Sequence, residues 1–461
     1  MVGLFEDSTQ PKEAPLMTDC ATQKMRFEAH KSALAVEAAF DGGRITSDGG
    51  LLWLSKVDEE LGLCEAISEC VPEWRKRKGR HSLASLVRQR VFQIACGYED
   101  QNDSDSLRED PLLKAVCGSL PESGADLASQ PTFSRLENAA TGRSCYRIAE
   151  AIFELYLNRR GSGGAPERVL LDFDATADPT HGDQEGSFYH GYYEQHMYHP
   201  LLVFDGESGH LITALLRAGN THASNASVAL LERLVRGLRE RWPGVAIEVR
   251  ADAGFAVPAI YDYCEEEGIT YTIGLITNPR LEEMARGLLA EAEERYETEG
   301  EKVRLFGEGR YRAGSWEHER RVLYKAEAME MGTNTRFVLS TRTDDPKTLY
   351  GFYARRGEGE NWIKDFKLHM KADRLSCHRF LANQFRLLLH AAAYWLMDVL
   401  RRKLVASGAR RTQLDTLRLR VIKIGGRVRE LLTKIRLHLA SGHPGRGLWH
   451  ALSGTFKGVH E

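Results

Sequence analysis

Apolar residues recur at helical spacing from Ile45 to about Asn158. Leu51, Leu52, Leu54, Val57, Leu61 and Leu63 form one such stretch, and Leu83, Leu86, Val87, Val91 and Ile94 form another. Ser82 stands where a helix N-cap would stand, and Pro72, Pro111, Pro121 and Pro131 divide the pieces. After the glycine-rich stretch at 161–164 the texture changes to short apolar runs. Residues 168–174, 200–205 and 210–216 predict buried strands. Residues 224–242 place Val228, Leu231, Leu234, Val235 and Leu238 on one helical face, stopped by Pro243 and Gly244. A strand at 246–251, a helix near 258–267 and a strand at 269–275 follow.

Three meandering strands, a helix, a strand, a helix and a strand make a mixed α/β sheet, and that order fits a ribonuclease-H-like core. Residues 276–336 break the rhythm. They are charged and carry glycines among short alternating pieces, which predicts an inserted, mainly β subdomain with one helix at its start. A strand resumes at 336–340, and 381–400 is a strongly apolar helix followed by a basic helical tail. The expected organisation is a polar N-terminal segment at 1–44, a helical region at 45–165, a catalytic core at 166–275 and 337–400, the β insertion at 276–336, and a basic helical C-terminal region at 401–461.

Composition narrows the class. Hydrophobic residues make up 42% and charged residues 28% of 461, enough to build cores and too many apolar groups for a disordered chain. No apolar run approaches the roughly 20 residues that span a bilayer. The first residues lack the cationic-then-apolar order of a secretory signal. Eight cysteines without a CxxC pair argue against a zinc ribbon or a disulfide framework, so the expected compartment is the reducing cytoplasm. The net charge of -3 hides an asymmetry: from Arg401 onward fourteen Lys and Arg face three acids, a net +11 that leaves -14 on the rest. A basic tail of this kind suits a polyanion, with Arg410, Arg411, Arg418 and Arg420 as candidate phosphate contacts. Residues 45–165, with the basic run 75–80, form a candidate DNA-binding region.

Strand alternation puts Asp172 and Asp174 on one face of the first core strand. Asp252 ends a later strand, before Gly254 in a tight exit turn. Acids at neighbouring strand ends mark a cleft in an open α/β sheet, and a cation or a shared proton must relieve their repulsion. Carboxylates holding a Mg²⁺ pair serve in-line displacement at phosphorus; helix caps and turn aspartates are the plain alternative. Further on, Tyr353, Arg356, Glu360 and Lys367 are spaced 3, 4 and 7 residues apart, so a helix stacks all four on one face. An acid flanked by cations and a phenol makes an odd core stripe but a sensible metal-and-phosphate face. Gly357 and Gly359 weaken that helix, which predicts ordered helix from about Glu360.

With these residues in view the chain resembles the DDE transposases of bacterial insertion sequences. The likeness is to the branch with the signature Tyr-x2-Arg-x3-Glu-x6-Lys, and within it to the family typified by insertion sequence thirteen-eighty. Supporting blocks are Thr46-Ser-Asp-Gly-Gly50, Gly97-Tyr-Glu-Asp-Gln-Asn102, Leu127-Ala-Ser-Gln-Pro-Thr-Phe-Ser-Arg-Leu-Glu-Asn138, Asp172-Phe-Asp-Ala-Thr176 and His181-Gly-Asp-Gln-Glu185. The resemblance implies a catalytic triad of Asp174, Asp252 and Glu360 holding two divalent metal ions, normally Mg²⁺, with Mn²⁺ as a substitute. It implies that Tyr353, Arg356 and Lys367 handle phosphates at the transposon end. It further implies double-stranded DNA partners (terminal inverted repeats and target DNA), a homodimer on paired ends, and a cytoplasmic, nucleoid-associated enzyme that cuts DNA and joins 3′ ends. Asp172 departs from the simpler pattern, and its expected role is structural.

Other residues weigh less. His181, His190, His196 and His199 cluster on the first long hairpin, but no acid or Cys stands at a zinc spacing, which leaves packing or phosphate contact. Trp316 is expected in a core, with stacking on an unpaired base as the functional alternative that related transposases suggest. The competing readings of the whole chain are a domesticated, non-catalytic DNA-binding protein and a metal-dependent nuclease of the same fold.

Overall fold

The computed structural model describes residues 24–27, 35–77 and 79–459; most of the polar segment 1–44, with Cys20, lies outside them. Its centre is an eight-stranded sheet. The strands are β1 (Arg168–Ala175), β2 (Leu201–Asp205), β3 (Leu211–Leu215), β4 (Ala246–Ala251), β5 (Thr270–Leu275), β6 (Val303–Tyr311), β7 (Arg320–Met329) and β8 (Gly332–Ser340), in the order β6-β7-β8-β5-β4-β1-β2-β3. β1, β4 and β5 run parallel, while β2, β3 and β8 pair antiparallel to their neighbours. The segment β3-β2-β1-β4-β5 has the connectivity expected for a ribonuclease-H-like core. Its strands are nearly continuous runs of buried Val, Leu, Ile and Phe, as a sheet covered on both faces requires.

Five helices matter for the site: α1 (Leu83–Cys96), α2 (Ser227–Arg241), α3 (Pro346–Ala354), α4 (Gly357–Lys364) and α5 (Phe380–Ala406). α1 starts at Ser82, whose side chain accepts from the Ser85 amide, and ends at Gly97 in the left-handed region. α5 is buried all round from Ala382 to Arg401, so it reads as an apolar run rather than as an amphipathic stripe.

One expectation needs correction and two gain detail. The segment 276–336 holds the expected starting helix and β strands, with a small hydrophobic cluster of Ala292, Val303, Ala326 and Ala328. After the helix Pro279–Glu299, β6 and β7 pair through β8 onto β5 and extend the core sheet. The tail is not helical throughout: Gly426–Leu431 and Lys434–Leu439 form a hairpin, with a Leu431↔Lys434 register across a two-residue loop. Alternation explains it, since Val428 is buried while Arg427 and Arg429 point outward. The helical region 45–165 does not stand alone. Its apolar residues share one core with α5, and Ile45–Thr46 pairs with Gly426–Arg427.

Several sequence blocks prove to be joints of this architecture. Gly49 and Gly50 donate their amides to the Ile424 and Ile422 carbonyls, and a Cβ on Gly50 would run into the Val421 carbonyl oxygen. Asp48 beside them takes Lys423 at 2.8 Å and the Tyr98 hydroxyl at 2.8 Å. Glu137 is sealed between Arg90 (3.3 Å) and Arg386 (3.0 Å), tying α1 to α5. Gln184 donates to the carbonyls of Leu375 and Cys377, and the Glu185 carboxylate accepts from the Phe380 amide at the start of α5.

Candidate active site

Parallel pairing of β1 with β4 sets Arg250 opposite Asp172 and Ala251 opposite Phe173. One residue further, Asp174, still paired with Leu202 of β2, comes beside Asp252, which follows the end of β4. Both carboxylates are partly buried. Asp252 caps the turn Ala253–Phe255, its Oδ1 accepting from the Gly254 amide at 2.8 Å. Burial pushes the Asp174 carboxyl up to about 7; Arg356 opposes the rise, and the charge of Asp252 adds to it.

Helix α3 begins with Pro346 after Asp345, whose side chain accepts from the amides of Lys347 and Thr348, each at 3.1 Å. α3 passes into α4 without losing helical conformation: Arg355 and Arg356 are both right-handed helical. The join is tightened by three-residue hydrogen bonds from Glu358 to Arg355 and from Gly359 to Arg356. The two glycines thus narrow the helix rather than delay it, and Tyr353 and Arg356 turn toward the acids. The Tyr353 hydroxyl lies over Gly274 of β5, where a Cβ would collide with it. Burial raises the Tyr353 phenol above its ordinary pKa; Arg356 pulls it back and Asp252 lifts it further.

Arg356 donates Nη1 to Asp174 Oδ2 at 2.8 Å. Burial works against its charge, but Asp174, Tyr353 and Asp252 together outweigh burial and hold its pKa above the ordinary value. The side chain of Lys367 reaches the Thr176 hydroxyl at 3.3 Å and the Ala177 carbonyl, just past the end of β1. Its neighbours Asp365–His369 form one π turn, which re-aims the helix after α4. Glu360 is exposed on α4. Among the described residues no three His, Cys, Asp or Glu side chains are gathered into a group that could hold a metal ion. The fold thus brings Asp174, Asp252, Tyr353 and Arg356 together, with Glu360 one helical turn beyond.

The other sequence candidates separate cleanly. Asp172 shares the strand face of Asp174 but is taken up by a partner: Arg250 grips it with Nε at 2.7 Å and Nη2 at 2.6 Å, and donates Nη1 to the Phe352 carbonyl at 2.8 Å. That fork locks β1, β4 and the end of α3 behind the acids. Arg250 escaped the sequence reading, although a lone Arg inside an apolar strand needs a buried partner and Asp172 was at hand. Arg410, Arg411 and Arg420 are exposed and line one cleft of about 500 Å³ with Gln413 and Thr416. Arg418 differs from expectation. It is buried and donates to the carbonyls of Ala95 (2.9 Å) and His369 (2.6 Å) and to Asp415 (2.6 Å), which leaves it no face for DNA.

Trp316 is a core residue, enclosed by Tyr261 at 5.5 Å, Tyr311 at 5.4 Å and the Arg320 guanidinium at 5.3 Å. On the hairpin, His199 pairs its Nδ1 with the Thr221 carbonyl at 2.8 Å, while His190 packs edge-on to it and His196 to Tyr189. These histidines pack the hairpin. Its tip overhangs the acids: burial first, then Tyr192, Asp174 and Asp252, raise the Tyr193 phenol.

Among the described residues no helix is long and apolar enough to cross a membrane. Comparison with curated proteins gives no match. Among solved structures, a piggyBac transposase synaptic complex with hairpin DNA is similar at 13% identity and a TM-score of 0.43, over 82% of this chain and 80% of that one. The family described as transposase DDE domain group 1, whose members cleave and transfer DNA strands, matches residues 28–457, and the chain belongs to it.

Proposed function

We propose that the protein is the transposase of a bacterial insertion sequence, of the branch typified by insertion sequence thirteen-eighty. In this reading it binds terminal inverted repeats, cuts DNA at the ends and joins the freed 3′ ends to target DNA, working as a homodimer on paired ends. The observation that carries the reading is the adjacency of Asp174 and Asp252 toward the ends of two parallel strands, under a helix that brings Tyr353 and Arg356 to them. The donor chemistry fits Mg²⁺: hard carboxylate oxygens, with no sulfur or imidazole among the three acids. Asp174, Asp252 and Glu360 would hold two such ions, which when bound supply Lewis acidity toward the attacking and leaving oxygens. Arg356 and Lys367 present cations to the phosphates of the DNA end, and Tyr353 positions Arg356 from behind. The cleft of Arg410, Arg411 and Arg420 suits backbone phosphates further along the duplex.

The test is cleavage and joining of a labelled duplex carrying the terminal repeats, in Mg²⁺, by the purified full chain. Glu360→Gln, Asp174→Asn and Asp252→Asn should each abolish both steps while leaving the fold and end binding intact. Wild-type-like cutting by Glu360→Gln would overturn the triad. Cutting without joining by the wild-type protein would instead support the nuclease reading.

A further inference from the structure

The cation that neutralises the acid pair in this structure is one of the chain's own side chains. The Arg356 guanidinium sits against Asp174 at 2.8 Å and within the electrostatic reach of Asp252 and Tyr353. It is also 22% exposed, so one side of the same group faces solvent while the other faces the acids. We infer that Arg356 couples divalent-cation binding to DNA. Without nucleic acid it occupies the acid pair as an internal counter-ion and competes with the metal; a phosphate of the DNA end draws the guanidinium away and opens Asp174 to the cation. The inference rests on the proposed assignment of Asp174 and Asp252 as metal ligands.

Three features support the exchange. First, two carboxylates held side by side on adjacent strands repel each other, so the pair takes up either a proton or a cation, and in this structure the cation is Arg356. Arginine meets that need because it stays protonated at any physiological pH. Second, a guanidinium binds phosphate and carboxylate by the same planar fork, so a phosphodiester is a direct competitor for Arg356. Third, among the described residues Arg356 forms a single ion pair, with Asp174, and its side chain is partly exposed, so a phosphate arriving from solvent has one carboxylate to displace.

Coupling of this kind is reciprocal and commonly amounts to a factor of about 5–150 in affinity. The measurement is Mn²⁺ binding to the full-length protein, followed by electron paramagnetic resonance of free Mn²⁺, with the contribution of DNA alone subtracted. The wild type should bind Mn²⁺ weakly by itself and about 10-fold or more tightly once a duplex with the terminal repeat is added. Arg356→Gln should bind Mn²⁺ about as tightly without DNA as the wild type does with it, and duplex should add little. Arg356→Lys retains the positive charge and should stay weak.

Equal Mn²⁺ affinity of the wild type with and without duplex would overturn the coupling, and that measurement needs no variant to fold. So would equal DNA-free affinity of wild type and Arg356→Gln, with thermal melting confirming that the variant is folded. Asp252→Asn separates the two layers of the argument. If it leaves Mn²⁺ binding unchanged in every background, the site assignment itself fails; if it abolishes binding while Arg356→Gln changes nothing, only the coupling fails.

Discussion

Changing Asp172 to Asn tests whether two aspartates on the same strand face have opposite physical roles. Asp172 is 5% exposed and Arg250 2%, and two charge-assisted hydrogen bonds of 2.7 and 2.6 Å join them. An Asn at this position accepts one of those bonds but presents its amide N–H to the other arm of the fork, donor against donor. One charge-assisted bond disappears, at about 1.5–3 kcal/mol. A buried guanidinium is also left without its counter-charge, and together these effects reach about 3–5 kcal/mol. Asp174→Asn should behave otherwise. Burial already disfavours its ionised form, and the neutral amide relieves repulsion from Asp252, so stability changes little. The assay is the urea unfolding midpoint of the full chain at neutral pH for both variants and for the double variant Asp172→Leu, Arg250→Leu. The double variant should regain most of what Asp172→Asn loses, because replacing both partners by apolar groups removes the orphaned charge. A wild-type midpoint for Asp172→Asn would refute the structural role, and would bring Asp172 back as a candidate fourth acid of the site.

Two further predictions concern charge elsewhere. Alanine at Arg410, Arg411 and Arg420 should make the dependence of DNA affinity on salt shallower, by up to about 0.9 in the log–log slope for each phosphate left without its arginine, with stability unchanged. Arg418→Ala should do the reverse, lowering the unfolding midpoint and leaving the slope alone, because its donors are spent on buried carbonyls. Acid should destabilise the fold through two buried imidazoles: burial first, then nearby arginines, hold His390 down to about 3 and His210 to about 4. Their unfolded forms take up a proton below about pH 6.5 while the folded forms do not. Stability is therefore complete above that pH and falls as pH drops toward the folded values, by about 1.4 kcal/mol per pH unit for each. His210→Phe, which keeps a ring stacked on Trp395, should flatten the unfolding midpoint between pH 6 and 4.5, and an unchanged slope would count against the assignment.

How much could be read from the sequence depended on whether a residue's partner lay nearby in the chain. β1, β4 and β5 were legible because buried parallel strands are short apolar runs bounded by turn residues, and the alternation within β1 separated Asp172 and Asp174 from their neighbours. The turn of Tyr353 and Arg356 toward the acids was legible from their three-residue spacing, whereas the join between α3 and α4, which sets where Glu360 points, was not. Arg418 and Arg420 looked equivalent in the sequence; a π turn at Arg418–Ile422 sends one inward and one outward, and nothing local announces it. The hairpin at Gly426–Leu431 and Lys434–Leu439 alternates correctly, but its Leu432-Thr433 loop lacks the Asn-Gly or Gly-rich signature that marks such turns. Trp316 and Arg250 are decided by partners far along the chain, which pattern does not reveal.

The clasp between the two ends of the described chain has a consequence for synthesis. Arg418 reaches Ala95 across 323 positions, and the Glu430 carboxylate reaches Ser123 across 307. At translation rates of about 5–20 residues per second, roughly 15–65 s separate the emergence of those partners from the ribosome. Until then the helices before residue 165 lack the cover that α5 and the last hairpin give them, and their apolar faces need a chaperone or stay uncollapsed. The acids of β1 and β4 are made midway through this interval, yet the helix layer behind them closes only at its end. A chain that stops before Gly426 therefore carries the acids of β1 and β4 without the strand that pairs with Ile45–Thr46 and without the Glu430 contact to Ser123.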